Sequence, residues 1–360
     1  MPDRNTVRLA LPVEDLPTPA GQRSLGQAAE VLRDGGTVAF ATETVYGLGA
    51  NALDSSAVEK IFTAKRRPAW DPLIVHISDA AMLERVATKI SSTAQRLMDA
   101  FWPGPLTLLL PRQEIVPLIV TAGRSLVGVR MPAHPVARAL IAAAGAPVSA
   151  PSANRFGHTS PTNAQHVLDD LDGRIDLLLD SGAAWCGVES TVVEAGEDSV
   201  VLYRPGAIAA TQIEAIAGPV TIYRPPSHRP EDGIFEPESL PSPGVEIRHY
   251  APRAVVMLVD MGTAAEPLQR DLWLRSMQQF SSHRKAGVML PTGWPLPQGF
   301  AGVHYAWGDW KDMRQLAQRL FAGLRALDGM GAETIVCPLP LSDGLGEAIR
   351  DRLLKAARKN

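Results

Sequence analysis

The sequence has little cysteine, and this scarcity excludes two kinds of small scaffold. Among its 360 residues there are two cysteines, Cys186 and Cys337, which lie far apart and form no C-x-x-C pair. A structural zinc site or a disulfide framework needs several cysteines at short, characteristic spacings, so we expect neither. Scarce cysteine is typical of proteins in a reducing compartment. We therefore expect a cytoplasmic protein with no metal site of its own.

Long apolar runs and a strong excess of one charge are also missing. The N-terminal segment MPDRNTVRLALPVEDLP has no apolar signal core, and no run reaches the roughly 20 residues of a membrane-spanning helix. The net charge is −3, so the whole chain is not a basic nucleic-acid wrapper, although a local basic patch would fit it. A hydrophobic fraction of 46% and a charged fraction of 20% are typical of a folded globular protein, and we expect no membrane partner.

The common nucleotide-binding and hydrolase motifs are absent as well. No G-x-x-x-x-G-K-[ST] loop occurs, and GLGAN and GLGEA lack the third glycine of the dinucleotide fingerprint. Neither a G-x-S-x-G elbow nor an H-E-x-x-H helix is found. If the protein binds a nucleotide, it must do so with a different phosphate-binding motif.

What the sequence does contain is an alternation of apolar strands and amphipathic helices. TVAFAT, LIVHI, LTLLL and IDLLLD predict buried strands, and HPVARALIAAAG and TNAQHVLDDLDG predict helices that a glycine ends. Between residues 219 and 252 prolines are dense and the apolar period is lost, which predicts a linker. AVVMLVD, AGVML and TIVCPL then predict the strands of a second, smaller open α/β sheet.

Three consecutive cations stand out in TAKRRPAWDPLIVH, where Lys65, Arg66 and Arg67 end a predicted helix just before a predicted strand. Cations in a last helical turn interact favourably with the helix dipole, by about 0.3–1 kcal/mol each. The alternative is anion binding, since lysine and arginine both recognise phosphate. Pro68 and Pro72 restrict the following turn, and this favours cations held for a ligand.

Two polar segments that follow predicted strands are candidate binding loops. SAPSANRFGHTSPTNA contains Ser152, Asn154 and Ser160, which predict either ordinary loop and cap chemistry, with Ser160 as N-cap of a helix opened by Pro161, or an anion site at a helix N-terminus. TETVYGLGAN has close glycines, which indicate either a pocket wall or a tight turn with positive φ.

Several single residues have two interpretations each. Arg130 lies in a buried-looking strand, where its partner is either an internal carboxylate or the carboxylate of a ligand. Arg204 either binds phosphate or caps a strand. Ser190 is most simply an ordinary residue at the start of a strand. His76 and His249 have no partners at ligand spacing, so we expect structural histidines rather than metal ligands.

Taken together, these segments resemble the YrdC/Sua5 family of L-threonylcarbamoyl-adenylate synthases. The similarity runs from about Gly21 to Ile216, and SPGVEIRHYAPR resembles the linker signature of the longer Sua5 form. The segments that carry it, in the order typical of the family, are TETVYGLGA, KIFTAKRRP with DPLIVHI, FWPGPLTLLL, VGVRMPAHPVARALI, APSANRFGHTSPTNAQHV, GVESTVVEA and LYRPGAI.

The resemblance implies a nucleotidyltransferase that converts L-threonine, bicarbonate or CO₂, and Mg²⁺-bound ATP into threonylcarbamoyl-AMP, diphosphate and water. Its product would go to a downstream transferase that makes N6-threonylcarbamoyladenosine (t6A) in tRNAs reading ANN codons, with at most a weak tRNA contact here. The implied fold is a catalytic domain over residues 1–218 with a twisted mixed sheet, a linker over 219–252 that closes over the site, and a smaller Rossmann-like domain over 253–360.

The resemblance also assigns roles to individual positions. The implied catalytic pair is Lys65 and Arg67, which would face the triphosphate and the carboxylated intermediate. The implied ATP contacts are Arg67, Asp71, Leu126, Ser152, Asn154, Ser160, Arg204, His249 and Tyr250, and the implied threonine contacts are Thr44, His76, Arg130, Ala150 and Ser190. Leu126 and Ala150 would act through their backbone groups.

Three positions depart from the family pattern. Ala41 replaces the usual proline before TETVYG, Arg66 replaces a common glycine, and Asp71 replaces a common asparagine. A carboxylate near phosphates is repulsive unless Mg²⁺ or an arginine neutralises it, so position 71 has the largest consequence.

The implied reaction joins anionic groups, so it needs positive charge and alignment more than a dedicated nucleophile. This need is consistent with the absence of a Ser/His/Asp motif. Two other functions fit parts of the sequence. One is a tRNA- or double-stranded-RNA-binding module, which the net charge disfavours. The other is a carbamoyltransferase, whose zinc-containing form the two isolated cysteines exclude.

Overall fold

The computed structural model describes residues 5–224, 239–245 and 250–358. The chain divides into two compact units. The first comprises Met1–Phe156, Pro161–Trp185 and Glu189–Glu246, and the second comprises Gly157–Ser160, Cys186–Val188 and Ile247–Asn360. Two short segments that interrupt the first unit in sequence therefore belong to the second unit.

The first unit is built on one mixed sheet of eleven strands. In chain order the strands are β1 (Val7–Ala10), β2 (Val38–Ala41), β3 (Tyr46–Asn51), β4 (Ile74–His76), β5 (Leu106–Pro111), β6 (Leu126–Arg130), β7 (Val148–Ser149), β8 (Leu177–Asp180), β9 (Thr191–Ala195), β10 (Val200–Arg204) and β11 (Val220–Ile222). Their order across the sheet is β1-β8-β2-β3-β7-β4-β6-β5-β9-β10-β11. The sheet contains both parallel and antiparallel neighbours, so the predicted mixed sheet is confirmed.

Helices cover this sheet with their apolar faces. They are α1 (Pro19–Arg33), α2 (Ser55–Lys65), α3 (Ala80–Val86), α4 (Ser92–Phe101), α5 (Leu118–Thr121), α6 (Pro135–Ala144), α7 (Ala164–Leu171) and α8 (Ala210–Ala217), with a 3-10 turn at Val13–Asp15. In α1, Leu25, Ala28, Ala29 and Leu32 are buried at helical spacing, and the Thr18 side chain accepts a hydrogen bond from the first turn. Burial of such stripes against the sheet is what holds the helices in place.

Strand register brings residues that are distant in sequence to the middle of the sheet. His76 ends β4 directly beside Arg130, which ends the parallel strand β6. The hairpin between β2 and β3 turns over residues 42–45, where the Thr42 hydroxyl donates to the Val45 carbonyl at 2.7 Å. All four of these loop residues are buried, which is unusual for a hairpin tip.

One local prediction was wrong, and one of two alternatives is excluded. Helix α7 begins at Ala164, and Asn163 is its N-cap, accepting from the His166 amide at 2.9 Å, so Ser160 and Pro161 do not open it. Gly47 and Gly49 lie inside β3 without positive φ. A Cβ at Gly49 would stand 2.7 Å from the Phe40 ring, so close packing explains this glycine and a tight turn does not.

The segment assigned to the linker begins with a short strand. Its first residues, Val220–Ile222, form β11, which pairs in parallel with β10. Apart from Pro219, the prolines that predict a linker follow this strand, from Pro225 onward. Apolar periodicity over three residues is too short a signal for a strand to be predicted from sequence.

The second unit is a smaller, fully parallel sheet with helices. Its strands are β12 (Val255–Asp260), β13 (Ala286–Pro291), β14 (Val303–Gly308) and β15 (Thr334–Leu339), in the order β12-β15-β13-β14. Its helices are α9 (Glu266–Met277), α10 (Met313–Gly329) and α11 (Leu345–Ala356), with a 3-10 turn at Gln278–Phe280. The predicted small open α/β sheet is confirmed. Within the ranges described above, no helix is long and apolar enough to cross a membrane.

Candidate active site

Lys65, the last residue of α2, is almost completely buried at 1% exposure. Its Nζ donates to the carbonyls of Ser152 and Asn154, each at 2.5 Å, and its own carbonyl accepts from the Phe156 amide. Burial, followed by repulsion from Arg67, lowers the pKa of Lys65 well below its ordinary value. This desolvated cation ties the end of α2 to the serine–asparagine loop, and an anion beside it would be strongly favoured.

Arg67 is held by the turn that follows the helix. Its Nε donates to the Asp71 carbonyl at 3.1 Å, and its Nη2 donates to the Pro72 carbonyl at 2.7 Å. The same Nη2 lies 2.9 Å from Asp71 Oδ2 in a buried ion pair. The carboxylate that replaces the family's common asparagine is therefore neutralised by an arginine of its own turn. Arg66, between the two buried cations, is exposed and adopts a left-handed conformation with φ of 53°.

Arg204 supplies the third buried cation on this side. Its Nη2 donates to the Ser190 carbonyl at 3.0 Å and to the Ser190 Oγ at 3.1 Å, and its Nη1 donates to the Pro243 carbonyl. The Ser190 hydroxyl also shares a 2.8 Å hydrogen bond with Thr107. The parallel pairing of β5 and β9 brings Thr107 beside the start of β9 and so fixes this arrangement.

The electrostatics join these cations into one cluster around Asp71. Burial raises the pKa of the Asp71 carboxyl, and the charges of Arg67, Lys65 and Arg204 oppose that rise. One buried carboxylate thus faces three buried cations. The excess of positive charge in a desolvated place is what a polyphosphate requires, and we name this set (Lys65, Arg67, Asp71 and Arg204) the cationic cluster.

A second cluster forms where the β2–β3 hairpin meets β6. Arg130 Nη2 lies 2.6 Å from Glu43 Oε1, its Nη1 donates to Thr44 Oγ1 at 2.9 Å, and its Nε donates to the Gly104 carbonyl at 3.2 Å. Arg130 and Glu43 are both buried. The internal salt bridge considered for Arg130 is therefore present, and it is made by a residue that the sequence does not single out. The motif TETVYG indicates only that Glu43 lies in a loop. Its partner Arg130 lies 87 positions further along the chain, so the sequence does not predict the pair.

Two histidines lie close to this ion pair and are neutral. Burial, with the positive charge of Arg130, lowers the pKa of His76 to about 3. Burial lowers the pKa of His134 to about 4, and the Glu43 carboxylate opposes that shift. His134 stacks on Trp185, with ring centroids 5.2 Å apart. We name Glu43, Thr44, His76, Arg130 and His134 the hairpin cluster.

The other predicted contacts of the first unit lie in its sheet and the adjoining loop. Leu126 begins β6 opposite Pro111, and the Ala150 amide donates to the Ile74 carbonyl at 2.9 Å. Ser152 pairs with Gly47 in an isolated bridge, so the serine–asparagine loop runs beside β3. The structure brings Lys65, Ser152 and Asn154 together, and separately Thr44, His76 and Arg130.

The remaining predicted nucleotide contacts are Ser160, His249 and Tyr250. Ser160 and Tyr250 belong to the second unit, and His249 lies outside the described residues. Tyr250 is buried there, with its ring stacked on Phe321 at 5.6 Å and the Arg352 guanidinium 5.0 Å from its centroid. The roles of these residues toward ATP stay predictions.

Metal ligation has no candidate in the part of the chain that the structure describes, since no three His, Cys, Asp or Glu side chains there could hold an ion.

Two family models together match most of the chain. The model described as "Telomere recombination" (Sua5_yciO_yrdC) matches residues 30–206, and the model described as "Threonylcarbamoyl-AMP synthase, C-terminal domain" (Sua5_C) matches residues 208–358. A threonylcarbamoyl-AMP synthase of Pyrococcus abyssi is 41% identical over 335 residues, which cover 92% of this chain and 93% of that protein.

The chain belongs to the threonylcarbamoyl-AMP synthase family.

Further relatives agree with this membership. The threonylcarbamoyl-AMP synthase of Bacillus subtilis is 41% identical over 339 residues, with 92% of each chain covered. The crystal structure of P. abyssi Sua5 complexed with L-threonine superposes with a TM-score of 0.85 at 38% identity, covering 98% of both chains. The predicted family, in its long two-domain form, and the predicted fold are confirmed.

Proposed function

We propose that this chain is a threonylcarbamoyl-AMP synthase, a nucleotidyltransferase that forms L-threonylcarbamoyl-adenylate and diphosphate from L-threonine, bicarbonate or CO₂, and ATP. The observation that carries the proposal is the similarity over 98% of the chain to a Sua5 structure that contains L-threonine. The two clusters of buried side chains support it, because the reaction needs a place for a triphosphate and a place for an amino acid.

The chemistry suits a site without a protein nucleophile. The threonine ammonium group first releases a proton, and the neutral amine then combines with bicarbonate to give an N-carboxylate and water. That carboxylate then attacks the α-phosphorus of ATP, the bond to the β-phosphate oxygen breaks, and diphosphate leaves. Two anions have to approach each other, so the largest contribution comes from positive charge that is already in place and desolvated. Mg²⁺ bound by the phosphates would neutralise the leaving diphosphate.

We assign the triphosphate and the carboxylated intermediate to the cationic cluster. Lys65 and Arg67 are buried, fixed by backbone carbonyls and repel each other electrostatically, so an anion between them would relieve that repulsion. Ser152, Asn154 and Arg204 are proposed to contact the nucleotide, as are Leu126, Ser160, His249 and Tyr250. Asp71 would act mainly through Arg67, which it holds.

We assign threonine to the hairpin cluster. Arg130 would bind the α-carboxylate and Thr44 would contact the amino acid beside it, since the two already share a hydrogen bond. His76 is neutral, so it offers a hydrogen-bond group without adding charge. Ala150 and Ser190 complete the proposed threonine contacts.

The finer parts of the proposal extend beyond this site. We propose that the product serves t6A formation in tRNA by a downstream transferase in the cytoplasm, with at most weak tRNA contact by this chain. We keep the division into residues 1–218, 219–252 and 253–360, with a linker that closes over the site, as part of the same proposal.

The test is a reconstituted reaction. Purified protein is incubated with ATP, Mg²⁺, bicarbonate and L-threonine, and threonylcarbamoyl-AMP and diphosphate are quantified. We expect both products in equal amounts, and only when threonine and bicarbonate are present. Diphosphate release that does not depend on threonine would contradict the proposal. Tight binding of tRNA without turnover would favour the RNA-binding function, and consumption of carbamoyl phosphate would favour a carbamoyltransferase.

A further inference from the structure

Glu43 is a buried carboxylate whose hydrogen-bonding capacity is only partly used. It lies at the tip of the β2–β3 hairpin and is 1% exposed. Neither of its oxygens has a well-aligned hydrogen bond among the described residues, and its nearest donors are the Arg130 guanidinium and the Ala133 amide. Its nearest cation is Arg130, 2.6 Å away, but Nη2 of that guanidinium also lacks an aligned hydrogen bond. The contact is therefore one of charge, and it leaves donors on Nη2 and acceptors on Glu43 side by side.

Among the described residues, no second positive charge acts on Glu43. The groups that act electrostatically on Glu43 and its pair are Arg130, His76 and His134, and both histidines are neutral because burial lowers the pKa of each. The Ala133 amide also points at the carboxylate. The positive charge of Arg130 and the negative charge of Glu43 cancel, so the hairpin cluster has no net charge to offer an anion.

A simple carboxylate ligand would bind such a pair poorly. Placed on Arg130, it would share one cation with Glu43, and two desolvated carboxylates beside one guanidinium repel each other. An α-amino acid zwitterion avoids this cost. Its ammonium and carboxylate groups are bonded to the same Cα, so the ammonium group can face Glu43 while the carboxylate faces Arg130. The four charges then alternate in sign, and the oxygens of Glu43 gain charge-assisted hydrogen bonds.

We propose that Glu43 binds the α-ammonium group of the amino acid whose α-carboxylate binds Arg130, and that it restricts the site to α-amino acids. This inference rests on the proposed function, since it assumes that the hairpin cluster holds the threonine. It makes Glu43 a specificity-determining residue. A residue that only orients Arg130 would affect every carboxylate ligand alike.

The test compares two ligands that differ only in the ammonium group. Dissociation constants of L-threonine and of 3-hydroxybutanoate, which is threonine without its amino group, are measured by calorimetry at pH 7 on the full chain and on Glu43→Gln. We expect the unaltered protein to prefer threonine by roughly 10–100-fold, the size of one lost charge-assisted contact. In Glu43→Gln, threonine binding falls by about that factor and 3-hydroxybutanoate binding does not fall.

The controls separate this inference from its alternatives. Glu59→Gln removes an exposed carboxylate from α2 and leaves both constants unchanged. Glu43→Asp keeps the charge and should retain the preference for threonine, even if the shorter side chain weakens the binding of both ligands. An equal loss of affinity for both ligands in Glu43→Gln would overturn the inference. Glu43 would then only orient Arg130. If the unaltered chain binds ATP but no threonine, the proposed function itself fails.

Discussion

Replacing Lys65 by methionine tests the cationic cluster most directly. Methionine has nearly the length of the lysine stem but no charge, so the substitution removes the ammonium group from a place that is 1% exposed. A unit charge about 4 Å from a phosphate oxygen contributes about 4 kcal/mol at the effective permittivity of about 20 found near protein sites. Since about 1.4 kcal/mol is tenfold in rate, kcat/KM for threonylcarbamoyl-AMP should fall by about a thousandfold.

The effect on folding should be much smaller. The substitution leaves the Ser152 and Asn154 carbonyls without their donor, at a cost of about 1–3 kcal/mol each. It also removes a buried charge whose desolvation lowers the lysine pKa, and this gain opposes that cost. We therefore expect the melting temperature of Lys65→Met to drop by only a few degrees.

The assay is threonine-dependent diphosphate release with saturating bicarbonate, followed for the unaltered chain, Lys65→Met and Arg66→Met. Arg66 is the matched control, because it is the adjacent cation and is exposed. We expect activity to be lost only in Lys65→Met. The reasoning fails if folded Lys65→Met keeps more than about a tenth of the activity, or if the control loses as much. Lys65 would then act only as an anchor for the serine–asparagine loop.

A proton measurement checks the same residue by an independent route. Burial holds the pKa of Lys65 low in the ligand-free protein, and a triphosphate beside it would raise that pKa. Between the two values, ATP binding takes up a proton. Calorimetry in buffers of different ionisation enthalpy should detect this uptake in the unaltered chain and not in Lys65→Met.

Three further substitutions have clear expected outcomes. Arg66→Gly relieves the left-handed φ of 53° and should raise the free energy of unfolding by about 0.5 kcal/mol in urea titrations, with activity unchanged. A lower free energy of unfolding for Arg66→Gly would contradict the idea that the backbone at Arg66 is strained. Asp71→Asn removes the carboxylate beside Arg67, so we expect ATP to bind about tenfold tighter, while stability falls by about 2 kcal/mol. Weaker ATP binding would show that Asp71 supports the site directly. His76 has a folded pKa of about 3 against 6.5 unfolded, so stability falls as pH drops through this window, by about 1.4 kcal/mol per unit. His76→Gln should therefore lose about 2 kcal/mol less than the unaltered chain between pH 7 and pH 5, and equal losses would rule out a buried neutral histidine.

The departure at position 71 shows how structure changes the meaning of a substitution. From the sequence, a carboxylate in a phosphate-binding wall needs a metal ion or an arginine to neutralise it. The structure supplies the arginine from the same turn, since Arg67 holds both the carbonyl and the carboxylate of Asp71. This contact also means that Arg67 is already occupied before a nucleotide arrives, which is the reason that Asp71→Asn is informative.

Element prediction succeeded where the signal was local and failed where it was not. The strands and helices that carry the buried runs were predicted because alternation and helical spacing are written in consecutive residues, as in β5 and α6. The start of α7 was misplaced, because Ser160 and Asn163 have equal capping tendencies and only the fold selects between them. Strand β11 was missed because three residues take their strand character from the neighbour with which they pair.

By itself, the sequence determined the family, the two-domain α/β class and most candidate site residues, because motifs and periodicities are properties of short segments in a fixed order. It left Arg130 with two partners to choose from, and it gave no reason to single out Glu43. Only the tertiary structure showed that Glu43 is the partner of Arg130. This ion pair joins a hairpin tip to the end of β6, and such a contact depends on strand register across the sheet. Charge and desolvation at a buried site are set by what packs around it, and that is a property of the fold rather than of any one segment.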